Sequence, residues 1–166
     1  MKNKWYALKL KDSYVHEIDH HYNNDTQVCV STTPNVCHCK LMNDKMRENW
    51  IMSLITTTNA NPDDIKSVKM EVESTIVDES ETKDFGIRFA NGTFAIEMQT
   101  DGVCTTKPTM TESESLDHAG LFCKEHAETL VKLLKTMIEI DMLPDSIAGE
   151  ITIVPIKREY TNIQEI

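Results

Sequence analysis

Apolar and polar residues alternate in blocks over Tyr6–Ile18, around a polar turn at Lys11, Asp12 and Ser13. The segment Phe85–Met98 repeats that arrangement around Asn91 and Gly92. A period of two on both sides of a turn predicts a β-hairpin. Asn-Gly is the stronger turn signal, because both residues tolerate the positive φ that a tight hairpin needs. Leu8 and Leu10 answer to Ile87 and Phe89, and Glu17 answers to Glu97 after one insertion. A short third strand is expected after each hairpin, around Thr26–Ser31 and Gly102–Thr106, with Val28 and Cys29 matching Val103 and Cys104.

The pattern then changes period. His38–Leu54 aligns with His118–Leu134 over 17 positions without a gap. The apolar positions coincide at Leu41/Leu121, Met42/Phe122, Trp50/Leu130, Ile51/Val131 and Leu54/Leu134. From Trp50 and Leu130 onward their spacing is helical and gives each helix one core-facing stripe. A Pro-Asp-x-Ile turn follows each helix, at Pro62–Ile65 and Pro144–Ile147. A closing strand comes next, with Val68, Met70 and Val72 alternating in the first copy and Ile151 and Ile153 in the second. The two closing strands agree in register after insertion of one residue.

The predicted order is therefore hairpin, short strand, helix and strand, at 6–72 and again at 85–154. The expected fold class is α+β, a tandem pseudo-repeat with one antiparallel sheet and helices packed on one face. The expected divisions are a first unit at 1–72, an acidic connector at 73–84, and a second unit at 85–166 that includes a C-terminal tail. Each copy is close to the size limit for independent stability, so the two are expected to share a core or extend one sheet.

Composition narrows the function classes. The chain has 166 residues, with 27 acidic and 17 basic side chains and a formal net charge of −10. At 40% hydrophobic residues it can form a globular core. The acidic excess argues against non-specific binding to nucleic acid or to an anionic membrane, both of which require a basic face. Arg47, Arg88 and Arg158 are the only arginines, which weakens phosphate-reading roles further. The apolar stretch Leu121–Leu143 is interrupted by seven charged residues and reads as an amphipathic helix rather than a membrane span. The N-terminal residues lack the apolar segment of a secretory signal. With five cysteines, an odd number, reduced thiols and a cytoplasmic location are expected. Residues with AT-rich codons outnumber those with GC-rich ones, which an AT-rich genome explains. The net charge is −2 over 6–72, −4 over the connector and −6 over 85–154. The excess acidity thus belongs to the connector and the second copy.

The residues that could carry chemistry are few. His16, His20, His21, Cys29, Cys37, His38 and Cys39 concentrate in the first copy, and thiolates with imidazoles are the ligands zinc selects. Cys29, Cys37, His38 and Cys39 are the candidate metal ligands. On an extended segment Cys37 and Cys39 would share a face, with His38 opposite. The Cys-x2-Cys knuckle of zinc ribbons is missing, so buried free cysteines are the simpler reading and no cofactor is expected. Cys123 is placed at the start of the long helix, where a thiolate is favoured, but Glu125 and Glu128 oppose it. Asp63 and Asp145 follow prolines in turns, where Asx hydrogen bonding explains them. Trp5, Tyr6, Tyr14 and Tyr22 gather in the first hairpin as core residues or interface anchors.

The two hairpins and the stretch Leu116–Leu130 resemble small accessory proteins encoded by phages of Gram-positive bacteria, in which hairpin–helix–strand units recur. The first copy departs by lacking the Asn-Gly turn and by carrying the Cys/His cluster. The resemblance implies a phage protein acting in a bacterial cytoplasm, of a kind that often inhibits host defence or host enzymes. The expected function is a non-enzymatic acidic binding protein. Its expected partner is a host protein such as a CRISPR effector nuclease, whose channel is basic. Glu73, Asp78, Glu79, Glu81 and Asp84 are the expected contact residues. The alternative is a small-molecule or metal-binding protein, or an enzyme, using a cleft between related halves. Tandem modules of the vicinal-oxygen-chelate enzymes build metal sites that way, and His16, Glu17 and Glu97 would be the ligands here. Strand edges also make a homodimer a reasonable expectation.

Overall fold

A computed structural model of the chain describes residues 3–22, 26–99, 109–143 and 147–166, with only the backbone of residues 3, 18–22, 26–29, 97–99 and 109–110. The fold is α+β, with eight strands in one antiparallel sheet and two α-helices among the described residues. The elements are β1 (Asn3–Leu10), β2 (Ser13–Tyr22), β3 (Thr26–Thr33), α1 (Asp44–Thr58), β4 (Ile65–Ile76), β5 (Phe85–Arg88), β6 (Phe94–Gln99), β7 (Thr109–Ser113), α2 (Lys124–Glu139) and β8 (Thr152–Glu165). The strand order is β3-β2-β1-β4-β8-β5-β6-β7. The chain divides into two compact units, one of Met1–Glu73 with Glu159–Ile166 and the other of Ser74–Arg158.

In the first unit β1 and β2 form the expected hairpin, with Lys11 at the turn at φ 57°. The hairpin opens quickly. β1 and β2 pair only through Leu10↔Ser13 and Lys9↔Tyr14 among the described residues. Beyond that point the extended segment Lys40–Met42 lies between the strands. Lys40 N–H donates to the Val15 carbonyl, and Tyr6 and Met42 exchange two backbone bonds of 2.9 Å. The other edge of β1 pairs with β4 from Asn3↔Val72 to Leu10↔Ile65. Successive residues of β1 point to opposite faces. Ala7, and beside it Trp5, therefore pack with Cys39, Leu41, Val68, Met70 and Val72. Leu8, with Tyr6 and Leu10, packs with Met42, Leu54 and the half-buried Met46, Trp50 and Ile51 of α1. Val36, Cys39 and Leu41 pack in one cluster, and Met42 with α1 packs in the cluster on the other side of β1, so the chain crosses the sheet at Lys40–Met42. Asn43 caps α1, its side chain accepting from Met46 N–H at 2.9 Å.

The second unit has its own hairpin and its own extended segment beside it. β5 and β6 pair at Arg88↔Phe94 around the turn at Asn91 and Gly92. Gly120 N–H donates to the Ala95 carbonyl, and Phe85 and Phe122 exchange two backbone bonds of 2.8 and 2.9 Å. The β2–β3 ladder bulges between Val15 and Glu17, opposite Thr32 and Ser31. The β6–β7 ladder bulges between Ala95 and Glu97, opposite Glu112 and Thr111, each residue 80 positions further on. Phe85, Ile87, Phe89 and Ala95 pack with Ala127, Val131, Leu134 and Met137 of α2. A smaller cluster holds Phe94, Ala119 and Ile156 with Leu116, Leu121 and Val154.

The closing strands differ from the sequence expectation in three ways. First, β8 does not end near residue 154, since it runs through Pro155 to Glu165. Pro155 has no N–H to give, but its carbonyl accepts from Val77 N–H at 3.2 Å. Second, the ladders set Val68 opposite Ala7 and Val154 opposite Gly86, so Val154 and Ile156 take the places expected for Ile151 and Ile153. Third, six residues join α1 to β4, whereas twelve join α2 to β8. Ile147 of the second Pro-Asp-x-Ile turn is therefore buried well before its strand begins, and Pro144, Asp145 and Ser146 lie outside the described residues. The expected third strand at Gly102–Thr106 also falls outside them, and β7 is seen from Thr109.

Candidate functional site

The acidic residues singled out from the sequence fall in two places. Glu73 lies on β4 in the first unit. Asp78, Glu79, Glu81 and Asp84 lie in the second unit, on a turn centred on a short 3-10 helix at Glu79–Glu81. Asp78 opens that helix without a side-chain capping bond, and all four carboxylates are exposed. Glu79 pairs with Lys124 at the start of α2. That contact raises the Lys124 pKa above its usual range, through the hydrogen bond first and charge attraction second. Asp78, Glu81 and Asp84 make no salt bridge among the described residues. The turn is held by its backbone, with Thr82 Oγ1 donating to the Ile156 carbonyl at 2.8 Å and Ile156 N–H donating to the Asp84 carbonyl at 2.9 Å. A fixed backbone therefore presents side chains open to solvent.

The Cys/His candidates do not assemble on one face. Val36–His38 is a 3-10 turn rather than extended chain, because Asn35 accepts from Cys37 N–H at 3.0 Å and starts it. Cys37 and His38 are exposed, whereas Cys39 is buried in the apolar cluster with Leu41. The backbone of Cys29 is on β3, and its side chain lies outside the described residues. No group of three His, Cys, Asp or Glu side chains that could hold a metal occurs among the described residues.

His16 is exposed, and its Nδ1–H donates to the His38 carbonyl at 2.6 Å, which gives that ring a structural role. Glu17 is in the first unit and Glu97 is on β6 of the second, its side chain outside the described residues. Cys123 occupies the N-cap position of α2 and is exposed, but its side chain makes no capping bond. Trp5, Tyr6 and Tyr14 serve the core clusters, and the side chain of Tyr22 is outside the described residues.

Two features could not be read from residue types. Arg158 is half-buried in the second unit, where Nε donates to Ser74 Oγ at 2.9 Å and Nη2 to the Leu116 and Ala119 carbonyls at 3.0 and 2.8 Å. Asp117 of the same turn accepts from Ser74 N–H at 2.6 Å. This arginine is a clamp on the turn before the sheet crossing. The other feature is an open cavity of about 800 Å³ in the first unit. Leu10, Val30 and Ala60 supply apolar lining, and Lys11, Asp12 and Asp64 supply charge. Hydrogen bonding and packing with partners reached across the fold leave no local mark, so neither feature has a sequence signature. No helix is long and apolar enough to cross a membrane among the described residues. No protein-family model, curated protein or solved structure matches the chain, and the site's chemistry stands on its own residues.

Proposed function

We propose that the chain is two copies of one hairpin–strand–turn–helix–strand module, with the helices laid on one face of the sheet, and that it acts as a non-enzymatic acidic binding protein. The module is supported by backbone bonds that recur in kind, Lys40 to Val15 with Gly120 to Ala95 and Tyr6 with Met42 as Phe85 with Phe122. The binding role rests on one observation. Four exposed carboxylates, Asp78, Glu79, Glu81 and Asp84, share a backbone-anchored turn in the second unit. A basic protein surface complements that turn, and charge complementarity acts mainly on association rate and partner choice. Host-defence and nucleic-acid-processing proteins, CRISPR effector nucleases among them, carry such surfaces because they hold phosphates. The resemblance to phage accessory proteins favours that class of target and a cytoplasmic site of action.

Affinity capture from a bacterial lysate at low and high salt, read by mass spectrometry, tests the proposal. A basic partner retained at low salt and released at high salt is the expected result. Changing Asp78→Lys, Glu81→Lys and Asp84→Lys together lowers the association rate about tenfold or more at low salt. Binding that is indifferent to both salt and the triple change rules the electrostatic reading out.

A further inference from the structure

The open cavity of the first unit corresponds to a filled place in the second unit, an equivalence that rests on the module proposed above. In the first unit the six residues between α1 and β4 pass straight into the strand, through a 3-10 turn at Pro62–Asp64. The cavity opens beside them, against the hairpin turn and β3. In the second unit the connection is twice as long, and four of its described residues pack onto the core. Leu143, Ile147 and Ile151 are buried there, with Met142 packed beside them, against Phe89, Met137 and Ile138. Phe89 stands where Leu10 stands, and Ile138 where Thr58 stands. Gly149, at φ 125°, comes so close to the hairpin turn that a Cβ on it would lie 2.9 Å from the Cβ of Ala90. The turn residue Lys11 of the first unit lines the cavity.

We propose that the cavity of the first unit is a docking groove for a short segment of a partner protein, which fills it as Met142, Leu143, Ile147 and Ile151 fill the corresponding place in the second unit. The occupant is a peptide segment that presents a large aliphatic side chain beside a lysine or arginine. The aliphatic group meets Leu10, Val30 and Ala60. The cation meets Asp12 and Asp64, which outnumber Lys11 among the charged lining residues, and the C-terminal end of α1, whose carbonyls favour positive charge. Thr58, which lines the groove, stands where the second unit has Ile138, and its hydroxyl is tied to the Leu54 carbonyl. The groove is therefore less apolar than its filled counterpart, which suits an occupant that comes and goes. A site with an apolar floor and a few placed polar groups is the usual form of a peptide or ligand pocket.

The probe is a synthetic peptide copying residues 140–150 with Asp141→Lys and Glu150→Lys, titrated into the full chain and followed by methyl NMR. The expected result is saturable shifts of the Leu10, Val30 and Ala60 methyls, with the unmodified acidic peptide binding about tenfold more weakly. Asp12→Lys with Asp64→Lys in the protein reverses the order of the two peptides. No saturable shift at millimolar peptide, or shifts confined to residues outside the groove, overturns the proposal. A graft that replaces residues 59–64 by 139–150 tests the underlying comparison separately. If the graft folds and abolishes the methyl shifts, both ideas are supported. If it fails to fold while the peptide still shifts the native groove, docking stands and only the equivalence of the units falls.

Discussion

Each unit bonds an extended segment to the strands of a hairpin, but the two helices differ in what they bury. Both open a hairpin to admit an extended segment that crosses the sheet, and both start a helix directly after it. On α2 that geometry buries Ala127, Val131, Leu134 and Met137. On α1 it buries Leu54 alone, and Met52 is 59% exposed. The first unit relies on other contacts. Lys40 lies 4.6 Å from the Trp50 ring centroid, Arg47 lies 4.6 Å from that of Tyr6, and Asn43 caps the helix. The difference teaches that this topology needs a few buried positions and a set of backbone bonds. The rest of the helix face can be exchanged for polar and cation–π contacts worth roughly 0.5–1 kcal/mol each.

The sharpest way to break that comparison is at the one leucine common to both helices. Leu54 and Leu134 are each fully buried. Leu134→Ala is expected to cost about 4 kcal/mol and Leu54→Ala about 3, because the larger cluster around Leu134 has less freedom to collapse. Urea midpoints at constant slope measure both, and a larger loss at Leu54 would refute the ranking.

A smaller effect is expected at the turn before each crossing. Arg158→Met removes the donors to Ser74, Leu116 and Ala119 and is expected to cost about 2–3 kcal/mol. In the first unit Tyr160 donates to the Cys37 carbonyl at 3.3 Å, and Tyr160→Phe is expected to cost about 0.5 kcal/mol. Thermal unfolding of the two variants side by side checks the ratio.

The helix caps sharpen the comparison further. Asn43→Ala removes a working cap and costs about 1 kcal/mol, whereas Cys123→Asn supplies one that α2 lacks and is expected to stabilise by about 0.5–1 kcal/mol. If Cys123→Asn destabilises, the thiol has a role that the geometry does not reveal.

The smallest effect concerns pH and belongs to the first unit. Glu165 reaches Lys9 at 2.7 Å and Lys66 at 3.5 Å. The hydrogen bond from Lys9, then the charge of Lys66, lowers the Glu165 pKa below 4.5, and the same bond raises Lys9 above 10.5. The Glu165 contribution is complete above 4.5 and lost as pH falls through its lowered value. The Lys9 contribution is complete below 10.5 and lost as pH rises through its raised value. The difference in Tm between the wild type and Glu165→Gln should be small and level between these limits, shrink in acid and alkali, and fade in high salt, since all three side chains are accessible. A difference that grows in acid would contradict this account.

Much of the local structure was legible from residues. Asn91 and Gly92 mark a hairpin turn by their backbone freedom, and the spacing of Leu130, Val131 and Leu134 marks α2. The apolar match of His38–Leu54 with His118–Leu134 was visible too, and it falls on the segments that cross the sheet and begin the helices. The crossing was not legible, because Tyr6 and Met42 are joined across 36 positions by backbone atoms that every residue has. The reach of β8 was hidden behind Pro155, which reads as a strand breaker unless its missing N–H falls where no partner needs it. The Cys37–Cys39 segment misled because Asn35 starts a turn, and one turn sends alternate side chains to solvent and to the core.

By itself the sequence determined the elements that depend on near neighbours: two hairpin turns, two helices and the acidity of the turn at 78–84. Alternation and backbone preference act over a few residues and leave their mark in the order of side chains. The tertiary structure alone decided which strands the crossing segments part, that Arg158 clamps a turn, and that Leu143, Ile147 and Ile151 join the core around α2. Those outcomes follow from burial and hydrogen bonding between distant segments, where the competing partners can be weighed only once the chain is folded.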